Sequence, residues 1–151
     1  MKNFLNISDL SSQELRKIIE EAKIRKSKRK DLNKSAADPD HPFEGKSMIM
    51  IFEKPSTRTR ISFDIATKQL GGSSIILNPD GIHYGKGDES IKDTARVFSE
   101  YADIVMIRTS SDKNLRDLAK YSDIPVINGL SELSHPCQVM SDILTFEETK
   151  G

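Results

Sequence analysis

Apolar residues Leu15, Ile18, Ile19 and Ala22 follow the spacing of one helix face. Ser11 and Glu14 form an S-x-x-E capping box ahead of them, with Leu10 and Leu15 placed to staple across it. The pattern then breaks. Residues 31–45, "DLNKSAADPDHPFEG", are rich in Pro, Asp and Gly and read as a loop, with His41 at its surface. Ser47–Phe52 is a short apolar run of strand length. Ser56–Leu70 returns to helical spacing and is closed by Gly71-Gly72. Short β-rich runs at Ser73–Leu77, Ile104–Ile107 and Pro125–Ile127 alternate with helices predicted at Ser90–Tyr101, Leu115–Tyr121 and about Pro136–Glu148. Ile91, Thr94, Ala95 and Phe98 share one face of the Ser90 helix. This alternation predicts an α/β fold: a parallel four-stranded sheet flanked by helices in three α/β/α layers, connected by right-handed crossovers.

In such sheets ligands bind outside the carboxyl ends of the strands. Three strand exits carry chemistry. The first is "FEKPSTRTR", where Pro55 turns the chain and Ser56, Thr57, Arg58 and Thr59 open a helix. A helix start presents unpaired N–H groups and the positive end of its dipole, and hydroxyls with an arginine fork complete a phosphate site. The plain alternative is an ordinary serine cap with two surface arginines. Arg60 points elsewhere on the helix and reads as structural. The second exit is "VMIRTS", with Arg108 at the sheet rim. The third is "LSHPCQVMSD", where Pro136 suits a first helical turn and places His135 at the cap with Cys137 and Gln138 behind it. A histidine and an amide there are suited to donate to a carbonyl oxygen and accept from an amide nitrogen.

Composition narrows the classes. The 151 residues, about one domain, hold 23 basic and 23 acidic side chains. Bulk electrostatics therefore point to neither nucleic acid nor an anionic membrane. The basic stretch "KIRKSKRK", residues 23–30, has no interleaved aromatics and reads as a solvated helix end. No apolar run is long enough to span a bilayer, and "MKNFLNISDLSSQEL" lacks the core of a secretory signal, so the expected location is cytoplasmic. The single cysteine, Cys137, fits a reducing compartment. No His/Cys/Asp/Glu cluster has metal-ligand spacing.

"FEKPSTRTRISFD", "KDTARVFSEYADIVMIR" and "HPCQVMSD", in this order, resemble the carbamoyl-phosphate domain of the aspartate/ornithine carbamoyltransferase family, as does "FLNISDLSSQELRKIIEEA". The likeness covers essentially the whole chain. Cys137 in H-P-C-Q and the stretch "DTARVFSEY" lean toward the ornithine branch, since the aspartate branch usually carries threonine at the cysteine position. The resemblance implies transfer of a carbamoyl group from carbamoyl phosphate to the side-chain amine of L-ornithine, giving citrulline and phosphate, without cofactor or metal. Carried over, Ser56, Thr57, Arg58 and Thr59 would bind phosphate, and Arg108 would bridge the phosphate and carbonyl oxygens. His135 would donate to the carbonyl oxygen, while Gln138 and the Pro136 carbonyl would hold the amide. Cys137 would line the pocket through its backbone. A helix start beside His135 would favour a reactive thiolate there, yet attack by an amine needs no enzyme-bound intermediate. His83, in "GIHYGKGDES", falls where the family commonly contacts carbamoyl phosphate across a homotrimer interface.

The family also has a second α/β domain that binds the amino acid. Residues 1–151 are therefore expected to be the carbamoyl-phosphate-binding domain, inactive by itself. Aspartate carbamoyltransferase, another transcarbamylase, and a non-catalytic phosphate-binding module are the competing readings.

Overall fold

The computed structural model describes residues 2–78 and 90–150. Helix α1 spans Ser12–Lys28, after a 3-10 turn at Ile7–Asp9. The predicted capping box forms, Ser11 accepting from the Glu14 N–H and Glu14 accepting from the Ser11 N–H. Strand β1 (Ser47–Phe52) follows the loop, then α2 (Thr57–Gln69) and β2 (Ser73–Leu77). Beyond residue 90 come α3 (Ile91–Tyr101), β3 (Ile104–Arg108), α4 (Asp112–Tyr121), β4 (Val126–Leu130) and α5 (Pro136–Lys150). The strands pair in parallel in the order β2-β1-β3-β4.

β1 is apolar from Met48 to Phe52 because both faces of the sheet are covered at its position. Alternation sends Ile49 and Ile51 to one face and Met48, Met50 and Phe52 to the other. On the first face α3 and α4 bury Ala95, Phe98, Leu115 and Leu118 against Val105, Ile107 and Val126. On the second, Phe63 of α2 and Phe43 of the loop pack on Met106 and the β1 residues. α5 packs beside β4 and carries α1 on its flank. Gly71, at φ +89°, ends α2 in the left-handed region, as the Gly-Gly pair foretold. Among the described residues no helix is long and apolar enough to cross a membrane.

Since β1 feeds α2 on one face while its neighbour β3 feeds α4 on the other, their exits diverge and leave a crevice between them. Phe52 and Arg108 are register partners at its floor.

Three expectations change. β4 runs from Val126 to Leu130, past the expected end at Ile127, because Asn128 and Gly129 are buried against β3. α4 begins at Asp112, where Ser111 caps it. The basic stretch is ion-paired rather than simply solvated. Lys23 and Lys26 reach Glu147 and Glu148 of α5 at 2.9 and 2.6 Å. Arg25 and Arg29 converge on buried Asp38. Burial pushes the Asp38 carboxyl up, but the two arginines outweigh it and hold its pKa below the ordinary value.

Candidate active site

The exits of β1, β3 and β4 open into one cavity of ≈ 720 Å³. Ser56, Thr57, Arg58 and Thr59 line it from α2, Arg108 from β3, and His135, Cys137 and Gln138 from the start of α5. Residues more than fifty positions apart in sequence thus meet across one crevice, as the three strand exits predict.

At the β1 exit, Ser56 occupies the N-cap of α2 with extended backbone, but its hydroxyl makes no capping bond. The first turn of α2 holds no acid. Thr57 and Arg58 are exposed toward the cavity, so the open N–H groups face positive charge and hydroxyls rather than a carboxylate. Arg60 turns away. Its guanidinium stacks 5.1 Å from the Phe52 ring centroid and donates to Asn78 Oδ1 at 2.6 Å, a structural role.

At the β3 exit, Arg108 Nη1 donates to Thr59 Oγ1 at 3.1 Å, while its Nε is buried without a partner among the described residues. Two contacts that sequence reasoning missed hold its backbone. Glu53 N–H donates to the Arg108 carbonyl at 2.9 Å, and buried Thr109 donates its hydroxyl to Glu53 Oε2 at 2.5 Å.

At the β4 exit the register slips: Ile107 pairs with Asn128 and Arg108 with Leu130, so Gly129 is the extra residue of a bulge. A Cβ on Gly129 would lie 2.4 Å from Met106 Sδ in the core, which explains the glycine. Leu130 beyond it lines the cavity.

His135 sits ahead of α5, its carbonyl accepting from the Gln138 and Val139 N–H groups at 3.1 and 3.2 Å. Burial first, then the positive charge of Arg108, hold its pKa below 6.5, so the ring is neutral at pH 7. Its Nδ1 is buried without a partner among the described residues. Gln138 is exposed and donates one N–H to Asp142 Oδ1 at 2.8 Å. Pro136 is fully buried, and its side chain is not part of the cavity wall.

At Cys137 burial prevails over the helix start. Its thiol donates to the Asn128 carbonyl at 3.6 Å, and burial pushes its pKa up to about 11. Desolvation of the thiolate outweighs the helix start, so the sulfur is protonated and poorly nucleophilic. His83 lies outside the described residues.

Ser62, Phe63 and Ser141 also line the cavity. Helical spacing offered that signal, since Ser62 and Phe63 stand one turn after Thr59, and Ser141 one turn after Cys137 and Gln138. Leu130 carried no such signal.

Residues 2–148 match the family described as aspartate/ornithine carbamoyltransferase, carbamoyl-P binding domain. The chain belongs to that carbamoyltransferase family. It is 49% identical over 150 residues to an ornithine carbamoyltransferase of Rhizorhabdus wittichii, covering 99% of this chain and 48% of the relative. It is 46% identical over 151 residues to one from Ruegeria pomeroyi, covering all of this chain and 49% of that protein. The ornithine carbamoyltransferase of Pyrococcus furiosus superposes with a TM-score of 0.91 at 43% identity, over 99% of this chain and 46% of that structure. The chain thus spans about half the length of the carbamoyltransferases it matches.

Proposed function

We propose that residues 1–151 form the carbamoyl-phosphate-binding half of an ornithine carbamoyltransferase, which moves the carbamoyl group to the side-chain amine of L-ornithine. The observation that carries this reading is the uncapped, acid-free start of α2 facing Arg108 and His135 across one cavity. Family membership and the two ornithine carbamoyltransferase relatives support the choice of reaction. The second domain, which would hold ornithine, and a homotrimer to which His83 contributes are parts of the same proposal.

The chemistry follows from the charges. Attack by the neutral amine forms a C–N bond and builds negative charge on the carbonyl oxygen; the C–O bond then breaks with its electron pair leaving on phosphate, which takes up the proton the amine loses. Ser56, Thr57, Arg58, Thr59 and the α2 N–H groups hold the phosphate and stabilise it as it leaves. Arg108, braced on Thr59, reaches both phosphate and carbonyl oxygen. Neutral His135 keeps one N–H to donate to that oxygen, where fixed donors lower the barrier most. Gln138 and the Pro136 carbonyl orient the amide. Cys137 contributes its place in the wall and not its sulfur.

Calorimetry on the chain tests the site: carbamoyl phosphate is expected to bind, and inorganic phosphate to bind more weakly. A citrulline assay tests the reaction. No citrulline is expected from residues 1–151 alone, and turnover is expected once an ornithine-binding second domain is joined. Binding without turnover in the joined protein would favour a non-catalytic phosphate-binding module. Turnover with aspartate instead would favour the aspartate branch.

A further inference from the structure

Asn128 lies in the middle of β4 with its side chain fully buried, and no step of the proposed reaction uses it. A buried amide is costly unless its donors and its acceptor are partnered. Here Nδ2 lies 3.0 Å from the Leu5 carbonyl, 3.1 Å from Ser134 Oγ, and 3.3 Å from both the Ser134 carbonyl and Ser131 Oγ. Oδ1 accepts from the Leu130 N–H at 3.0 Å. Each partner belongs to the end of β4, to the connection between β4 and α5, or to the N-terminal segment.

That connection is closed around the amide. Ser131 N–H donates to the Ser134 carbonyl at 2.9 Å, and Ser131 Oγ donates to Asp112 Oδ1 at 2.7 Å. The N-terminal segment braces it from outside the sheet. Phe4 N–H donates to the Val126 carbonyl, Asn128 N–H donates to the Phe4 carbonyl, both at 2.9 Å, and Ser134 Oγ reaches the Leu5 carbonyl at 3.3 Å. The residue that follows this braced connection is His135.

We propose that Asn128 is a positioning residue for His135, holding the 130–134 connection so that the imidazole is aimed into the cavity. The inference rests on the site reading above. His135 Nδ1 has no partner among the described residues to fix the ring from that side, so the ring direction depends on the backbone that delivers it. That backbone is pinned at both ends of the connection by one amide: Leu130 on Oδ1 and Ser134 on Nδ2. A hub of this kind is strong where every member is satisfied and loosens as a unit when one is removed.

Two measurements on the 151-residue chain test it, using Asn128→Ala and the milder Ser134→Ala. The first is an NMR titration of His135, with His41 as internal reference. Its pKa is held down by burial and Arg108, so a ring released toward solvent titrates at higher pH. The second is calorimetry with carbamoyl phosphate and, separately, inorganic phosphate. His135 serves the carbamoyl group, whereas phosphate is held by α2 and Arg108. Asn128→Ala is expected to raise the His135 titration midpoint and to weaken carbamoyl phosphate on the order of tenfold, one lost hydrogen bond, with inorganic phosphate affinity nearly unchanged. Ser134→Ala is expected to show the same signature at about threefold, and decides the matter should Asn128→Ala fail to fold. An unmoved His135 titration in a folded variant, or equal weakening of both ligands, overturns the proposal. Should the wild-type chain bind neither ligand, the site reading fails, and the His135 titration alone still decides whether Asn128 aims the ring.

Discussion

Among the described residues, five α-helices begin in two different ways. α1, α3 and α4 each follow a serine whose hydroxyl accepts a backbone N–H: Ser11 from Glu14 at 3.3 Å, Ser90 from Asp93 at 3.2 Å, and Ser111 from Asn114 at 3.2 Å. Each also has an acid in its first turn, namely Glu14, Asp93 and Asp112. These starts are satisfied internally. α2 and α5, the two that border the cavity, have no acid in the first turn, and Ser56 makes no capping bond. Serine at an N-cap therefore serves two ends in this protein. Where it caps, it stabilises the helix; where it is left free, its hydroxyl and the bare N–H groups stay open to the cavity.

The sharpest way to break the comparison is to make α2 resemble the other three. Thr57→Asp puts a carboxylate into its first turn. Binding of carbamoyl phosphate should weaken by about 3 kcal/mol or more through like-charge repulsion, while the dipole makes the fold no less stable. Calorimetry beside a thermal melt reads both; unchanged affinity would mean the anion sits elsewhere. The start of α5 supplies the next test. Cys137 at that start should react with iodoacetamide at pH 8 about a hundredfold more slowly than a free cysteine, since its pKa lies near 11. Fast labelling of the folded chain would show the helix start prevailing over burial.

Removing the fork is a smaller change. Arg58→Ala should cost about 2 kcal/mol of carbamoyl-phosphate affinity, as for charge-assisted hydrogen bonds, with no loss of stability from an exposed side chain. The two serines then separate the roles. Ser111→Ala should lose about 1 kcal/mol of folding stability in urea and leave ligand binding alone. Ser56→Ala should change stability by only a few tenths of a kcal/mol, because no cap bond is lost, yet weaken binding measurably. Equal stability losses in the two variants would erase the distinction.

Much of this was legible in the chain. The Ser11 and Glu14 box, the apolar β1 run and the Gly71 stop are local signals read within a few residues, and each appears where expected. The loop entering α2 was legible as one wall of the cavity for the same reason: its hydroxyls, arginine and helix start are adjacent in sequence. The Glu53–Thr109 bond, the slip at Gly129 and the arginines on Asp38 were not, because each joins segments whose proximity only the folded sheet creates. Cys137 shows the difference most clearly. Its neighbours in sequence argue for a lowered pKa, and its neighbours in space raise it.

By itself the sequence determined the α/β alternation, the family, and which strand exits bear the polar and charged side chains that line the cavity, since periodicity, capping and motif order are properties of neighbouring residues. Tertiary structure alone decided that β1 and β3 lie side by side, so that their exits diverge and leave a crevice. It decided which helix starts are sealed and which stay open. It also decided the ionisation of His135 and Cys137, because desolvation depends on what surrounds a group in three dimensions and no spacing along a chain encodes it.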